Sequence, residues 1–334
     1  MSRIHSLDYL KLLMAVLVAF AHTYWMQAHV TPMWFMVGNG LMRMMVPLFC
    51  IMAGYFLYRA AVRGDGVRWL MRVLALYAFW KLVYLPFWIG DVHGAVSLVK
   101  TLILGFYHLW FLAGILFAGF LLLSIRRVVH VFSHRLEIPA LIAVAGLCAI
   151  VGLAMQYIHL SGGGVLGQRK FQNGLFICFP FVTIGYLLAR HIAWKGMTGL
   201  PSRRVALGLT LLGMGALMVE AWLVQARWGL DVMLDIPIGS YIAAPSMFLL
   251  ALMTEMPKPP IRIDPISAMI YFMHVLMIIL ARKLGITGLG GMMLFAVGLP
   301  TLMALALGRL GIFGPKGRSA TGRDNGARSL EPYR

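Results

Sequence analysis

Residues 7–27 read LDYLKLLMAVLVAFAHTYWMQ. Asp8 and Lys11 open the stretch, and ten apolar residues, Leu12 to Ala21, separate them from His22. The length matches the roughly 20 residues that cross about 30 Å of hydrocarbon. A charged start and an apolar body also describe a signal peptide. No small-residue cleavage site follows, however, and Tyr24-Trp25-Met26 stands there instead, so the stretch reads as a retained first span.

The same pattern recurs along the 334 residues. Ten apolar helices are expected, at about 7–27, 42–61, 69–89, 108–125, 137–156, 173–190, 205–225, 237–255, 266–282 and 287–308. The chain is 61% hydrophobic and 12% charged, against about 25% charged in a typical soluble protein. Its mean hydropathy is +0.84. So few charges cannot cover that much apolar surface in water. Three cysteines, Cys50, Cys148 and Cys178, all in apolar runs, exclude a disulfide scaffold. The fold class is therefore an all-α polytopic membrane protein. Segment 93–106 is a weaker apolar stretch, expected to lie along the interface or to re-enter. Residues 1–308 are expected to form one transmembrane domain and residues 309–334 a mobile basic tail, rich in Gly, Arg and Ser.

A net charge of +18 on a soluble protein would suggest nucleic acid. Here it sorts by side. With the N-terminus in the cytoplasm, twenty of the 29 Lys and Arg fall on the cytoplasmic side and six on the outer side. Lys11, Arg43 and Lys81 remain within spans. That asymmetry predicts both termini inside, an even number of spans and no nucleic-acid partner.

Ionisable groups inside spans are costly and normally face a protein interior or a wet cavity. Lys11 and His22 are eleven residues apart, within ~20° of the same direction on a helix, with His22 ~16 Å further along. Asp8 falls about 40° from His22 on the same wheel. The bland readings are a surface Asp8–Lys11 pair and a histidine bonded to a backbone carbonyl. Arg43, Lys81, Glu220 and His274 add further polar groups inside spans, with His108 and Asn173 opening two others. Several must converge, or unpaired charge would stand in lipid. Glu220 reads as a structural partner for Arg43 or Lys81. Tyr24, Trp34, Trp110 and Trp222 lie near span ends, as an interfacial aromatic belt would, or as a sugar-stacking platform at the outer mouth. The methionines between Met33 and Met52 read as flexible packing rather than a copper site. There is no Gly-rich phosphate loop, no Cys pair at metal spacing and no convincing internal repeat.

Several stretches together resemble the membrane acyltransferase-3 family of bacterial envelope enzymes. They are Leu7-Asp8-Tyr9-Leu10-Lys11 followed by ten residues and His22; Pro47-Leu48-Phe49-Cys50-Ile51-Met52-Ala53-Gly54-Tyr55; and Tyr107-His108-Leu109-Trp110-Phe111-Leu112. Gln172-Asn173-Gly174 with Pro180-Phe181 and Gly185-Tyr186 makes a fourth, and Ile266-Ser267-Ala268 with Tyr271 and His274 a fifth. Lys11 stands where many relatives have Arg, and Ala53 where they have Ser. The resemblance runs over residues 3–308 and implies a single-domain member, with no fused extracytoplasmic domain after residue 308.

The resemblance implies an O-acyltransferase of the bacterial cytoplasmic membrane. It would move an acyl group, most often acetyl from acetyl-CoA, to a hydroxyl of an envelope or exopolysaccharide sugar, with a carbohydrate or lipid-linked saccharide as acceptor and no metal. His22 is the implied base or acyl acceptor. Lys11, helped by Arg43 and with Asp8 beside it, is expected to hold the CoA phosphates. His108 is implied as a second catalytic residue, with Asn173 binding acceptor hydroxyls or the acyl oxygen and Trp110, Tyr24 and His274 completing the expected acceptor site. Polysaccharide-assembly proteins are plausible partners. Two rivals stand beside this reading: a carrier of a small acid or lipid-linked saccharide, and a non-catalytic subunit of an envelope polysaccharide machine.

Overall fold

The structure, a computed structural model, describes residues 4–25, 31–162 and 164–312. Among the described residues it is helical with no strand. In chain order the helices are α1 (His5–Trp25), α2 (Pro32–Asn39), α3 (Met45–Val62), α4 (Gly66–Val83), α5 (Leu85–Trp88), α6 (Ala95–Leu104) and α7 (Trp110–Phe132). They continue with α8 (Glu137–Ser161), α9 (Phe179–Lys195), α10 (Arg203–Trp228), α11 (Ser240–Leu252), α12 (Ile263–Lys283), α13 (Leu289–Met293) and α14 (Leu299–Arg309). Nearly all of the tail, expected to be mobile, lies outside the described residues.

Every expected span contains a helix, but the count of full spans differs from ten. Among the described residues eight helices are long and apolar enough to cross a membrane, or nine with the bent pair Gly66–Val83 and Leu85–Asp91. The bend is 68°. Its cause is local: Pro86 has no N–H to give, and its ring crowds the carbonyl of the preceding turn. The other departure is α11. At about 1.5 Å per residue its 13 residues fall short of a bilayer core. Residues 229–239, partly expected in that span, are non-helical instead. They are held by Glu220, which accepts hydrogen bonds from Tyr157 Oη (2.7 Å) and from the amides of Ile238 (2.9 Å) and Gly239 (3.0 Å). Glu220 is thus structural, as expected, but its partners are neither Arg43 nor Lys81. Lys81 donates to the Thr101 carbonyl at 3.1 Å and lies over the Trp88 ring.

The core is set by close helix crossings. Helices α3 and α9 share the most extensive contact in the molecule. At their crossing a Cβ on Gly54 would meet the Val182 carbonyl oxygen at 1.9 Å, and one on Gly185 the Ile51 carbonyl oxygen at 1.9 Å. Both motif glycines are required because backbone packs on backbone, as small residues allow between membrane helices. Around the crossing lie Leu48, Cys50, Phe179 and Phe181, all fully buried. A second contact joins α1 to α12, where Ala15 and Ala19 pack against Ile266 and Ile270.

Side-chain order along these helices defines two ends of the bundle. Lys11 shares a cavity with Asp264 and Ser267, while His22 adjoins His274 further along both helices. Helices α1 and α12 therefore run the same way. Helix α3 runs oppositely, from Val46 in the His22 cavity to Phe56, whose ring faces Lys11 Nζ at 5.1 Å.

Candidate active site

Helix α1 carries the polar stripe expected of it. At its start Lys11 Nζ lies 3.7 Å from Asp8 Oδ1, and His5 Nδ1 lies 4.0 Å from Asp8 Oδ2. Nearer its other end, His22 Nδ1 donates to the Val18 carbonyl at 2.9 Å. A carbonyl partner fixes the proton on Nδ1, so the neutral ring keeps its lone pair on Nε2.

Two more imidazoles complete a cluster. The ring centroids of His22 and His274 are 4.9 Å apart, those of His108 and His274 4.8 Å, and those of His22 and His108 6.5 Å. His274, fully buried, donates from Nδ1 to the Tyr271 carbonyl at 2.7 Å. Its Nε2 and both ring nitrogens of His108 are buried with no hydrogen-bond partner among the described residues. Buried polar atoms are seldom left so, and here three belong to two adjoining imidazoles.

The backbone that delivers His108 is unusual. Tyr107 has φ 48°, in the left-handed region that costs a non-glycine residue roughly 1–2 kcal/mol. Behind His108 stands Tyr84, fully buried, with its ring centroid 5.3 Å away. The Tyr84 hydroxyl donates to the Phe272 carbonyl (2.8 Å) and accepts from the Leu276 amide (3.1 Å). Those two backbone groups would pair with each other in a regular helical turn. Tyr84 therefore opens the α12 ladder around His274 and ties the end of α4 to it.

His22 and His108 line a cavity of about 320 Å³, with Arg43, Gln172, Asp235, Trp110 and Tyr271 among its other walls. Arg43 is fixed on both arms: Nη1 donates to Asp235 Oδ1 at 3.0 Å and Nη2 to Asn39 Oδ1 at 2.7 Å. The fully buried Asp235 carboxylate also accepts from Gln168 (2.7 Å) and Gln172 (3.0 Å). Gln156 anchors the segment by accepting from the amides of Asp235 and Ile236. One wall of the cavity is thus a connected polar network in which both oxygens of the Asp235 carboxylate are paired, while Arg43 Nε and Asn39 Nδ2 find no partner among the described residues.

A separate cavity of about 290 Å³ holds Lys11, with Asp264 and Ser267. The expected sharing of a ligand between Lys11 and Arg43 is not what the geometry provides. Arg43 lies in the 3-10 turn Leu41–Met44 ahead of α3, at the His22 end. Asn173 is not at the cavity either. Its Oδ1 caps the π-helical turn Gly174–Cys178 by accepting from the amides of Leu175 and Phe176, and its Nδ2 donates to the Lys170 carbonyl. The neighbouring Gln172 faces the cavity instead. Tyr24 packs in an aromatic triangle with Phe20 and Trp34, its ring centroid 4.7 Å from that of Trp34. Among the described residues no three His, Cys, Asp or Glu side chains are arranged to hold a metal ion.

A family model described as an acyltransferase domain, that of the acyltransferase-3 family, matches residues 4–308. No curated protein and no solved structure matches the chain.

Proposed function

Because the chain belongs to the acyltransferase-3 family and is a multi-pass membrane protein, we propose that it transfers acetyl from acetyl-CoA to a hydroxyl of an envelope carbohydrate at the bacterial cytoplasmic membrane. The observation that carries this reading is the cluster of His22, His108 and His274, of which His22 and His108 line one cavity, while Lys11 faces another at the opposite end of the same helix.

The division suits a two-sided reaction. Lys11 meets the CoA phosphates as a point charge, and Asp8 holds its ammonium in place. In the other cavity His22 Nε2 takes the proton of the acceptor hydroxyl as its oxygen attacks the thioester carbonyl carbon. The C–S bond breaks, CoA leaves as thiolate, and the proton on His22 passes to that sulfur. His108 lies within reach of the developing oxyanion, the position where a fixed donor contributes most. Arg43, Asp235 and Gln172 offer charge and amide groups to the acceptor's hydroxyls, and Trp110 offers a face for a sugar ring. The acceptor is a polysaccharide or lipid-linked saccharide, and polysaccharide-assembly proteins supply it.

Transfer of labelled acetyl from acetyl-CoA by protein purified in detergent tests the enzyme reading, since no vesicle lumen exists into which a carrier could move substrate. Mass spectrometry of envelope glycans with and without the gene tests the acceptor. Loss of a 42 Da substituent is the expected result (the mass of an acetyl group replacing hydrogen, about 42 in round numbers), and an unchanged glycan profile would overturn it.

A further inference from the structure

The two cavities share a wall. Phe49, Phe111 and Tyr271 line both the chamber of His22 and the chamber of Lys11. The rings come from α3, α7 and α12, and their centroids form a nearly equilateral triangle with sides of 5.6 Å and twice 5.8 Å. Aromatic rings at that spacing and tilt are in contact. An alkyl chain needs about 4 Å to each neighbouring carbon and has no free path between them. Two chambers that must exchange a thioester are therefore closed to one another as they stand.

The three rings are not equally free. The Tyr271 hydroxyl donates to the His108 carbonyl at 3.2 Å, which ties that ring to the imidazole cluster. Phe49 and Phe111 carry no polar group and are held by packing alone, so rotation about their side-chain bonds costs no hydrogen bond. We propose that Phe49, Phe111 and Tyr271 form a septum through which the thioester end of the donor reaches His22, with Tyr271 as the fixed post and the phenylalanines as the moving leaves, and that the septum sets which acyl chains pass. This inference rests on the acyl-CoA reading above.

The test has two arms. In the first, the thiol introduced by His22→Cys is labelled in sealed membrane vesicles of either orientation with a membrane-impermeant methanethiosulfonate, and modification at that position is read by mass spectrometry. Adding Phe49→Ala or Phe111→Ala is expected to speed labelling tenfold or more from the face on which Lys11 opens, with no change from the opposite face. In the second, the otherwise unaltered protein carrying Phe111→Leu is offered acetyl-, butyryl- and hexanoyl-CoA, and use of the longer chains is expected to rise relative to acetyl. Equal labelling rates and an unaltered chain preference in folded, monodisperse variants would overturn the septum. Faster labelling in the His22→Cys background, together with no consumption of any acyl-CoA by the protein that keeps His22, would overturn the donor reading while leaving the wall in place.

Discussion

The imidazoles of His22 and His274 stand 4.9 Å apart, centroid to centroid, at an interplanar angle of 60°, on two helices that run the same way. Each ring holds its Nδ1 proton against a carbonyl of its own helix. Neither can turn without losing that bond, so each fixes the face the other presents. His274→Gln is expected to lower kcat about 10- to 100-fold, about 1.4–2.7 kcal/mol of barrier, with the KM for acyl-CoA unchanged. Steady-state kinetics check this, and an unchanged kcat would reduce His274 to packing.

Arg43 and Asp235 form a second unit, joined at 3.0 Å across 192 residues of chain. Removing one partner leaves the other's charge buried and unpaired, at a cost of about 3–5 kcal/mol. Arg43→Met and Asp235→Asn should each weaken thermal stability in detergent and acceptor use. The double variant should lose little more than either single one, because the interaction is already gone. Additive losses in a melting and turnover cycle would show the two residues acting separately.

Lys11 lies outside the imidazole cavity, so its effect should be confined to the donor. Lys11→Met is expected to raise the KM for acyl-CoA tenfold or more, as loss of a charge-assisted contact of about 1.5–3 kcal/mol requires, while Lys11→Arg keeps it low. Equal donor KM in all three proteins would remove Lys11 from the CoA site.

The crossing of α3 and α9 should tolerate no added atom. Gly185→Ala would drive a methyl group against the Ile51 carbonyl, at a cost of about 1–3 kcal/mol or more. Gly208→Ala on α10 has nothing within 4 Å of the new carbon and is expected to be neutral or stabilising. Size-exclusion profiles in detergent after heating separate the two outcomes.

The stripe on α1 was legible because helical spacing is local: Lys11 and His22 are on one face whatever surrounds them. The convergence of His108 and His274 on His22 was legible in kind, since charge inside lipid must find company, but not in geometry. The sequence places His274 among the acceptor-binding residues rather than against His22, because nothing in it says that α12 runs parallel to α1. Asp235 gives no signal of its own in the sequence. It lies in a non-helical segment beside a stretch that reads as a span, and its partner Arg43 is far away in the chain. Only its charge groups Arg43 with Lys11 in the sequence. Glu220 reads as structural from the sequence, but two of its three partners are backbone amides, which carry no sequence signal. Pro86 signalled the bend between α4 and α5, and hydropathy ran straight through it. Asn173 shows the opposite error, a polar residue at a span end that proves to be consumed by its own helix cap.

His22 is where the account is most exposed. Acetyl transfer should be measured with purified, monodisperse His22→Ala and His22→Gln proteins beside the unaltered one, at saturating acetyl-CoA. A fall in kcat of about 10²- to 10⁴-fold in both, with donor binding intact, is the predicted result for loss of a general base. Transfer at an undiminished rate in either variant would contradict it.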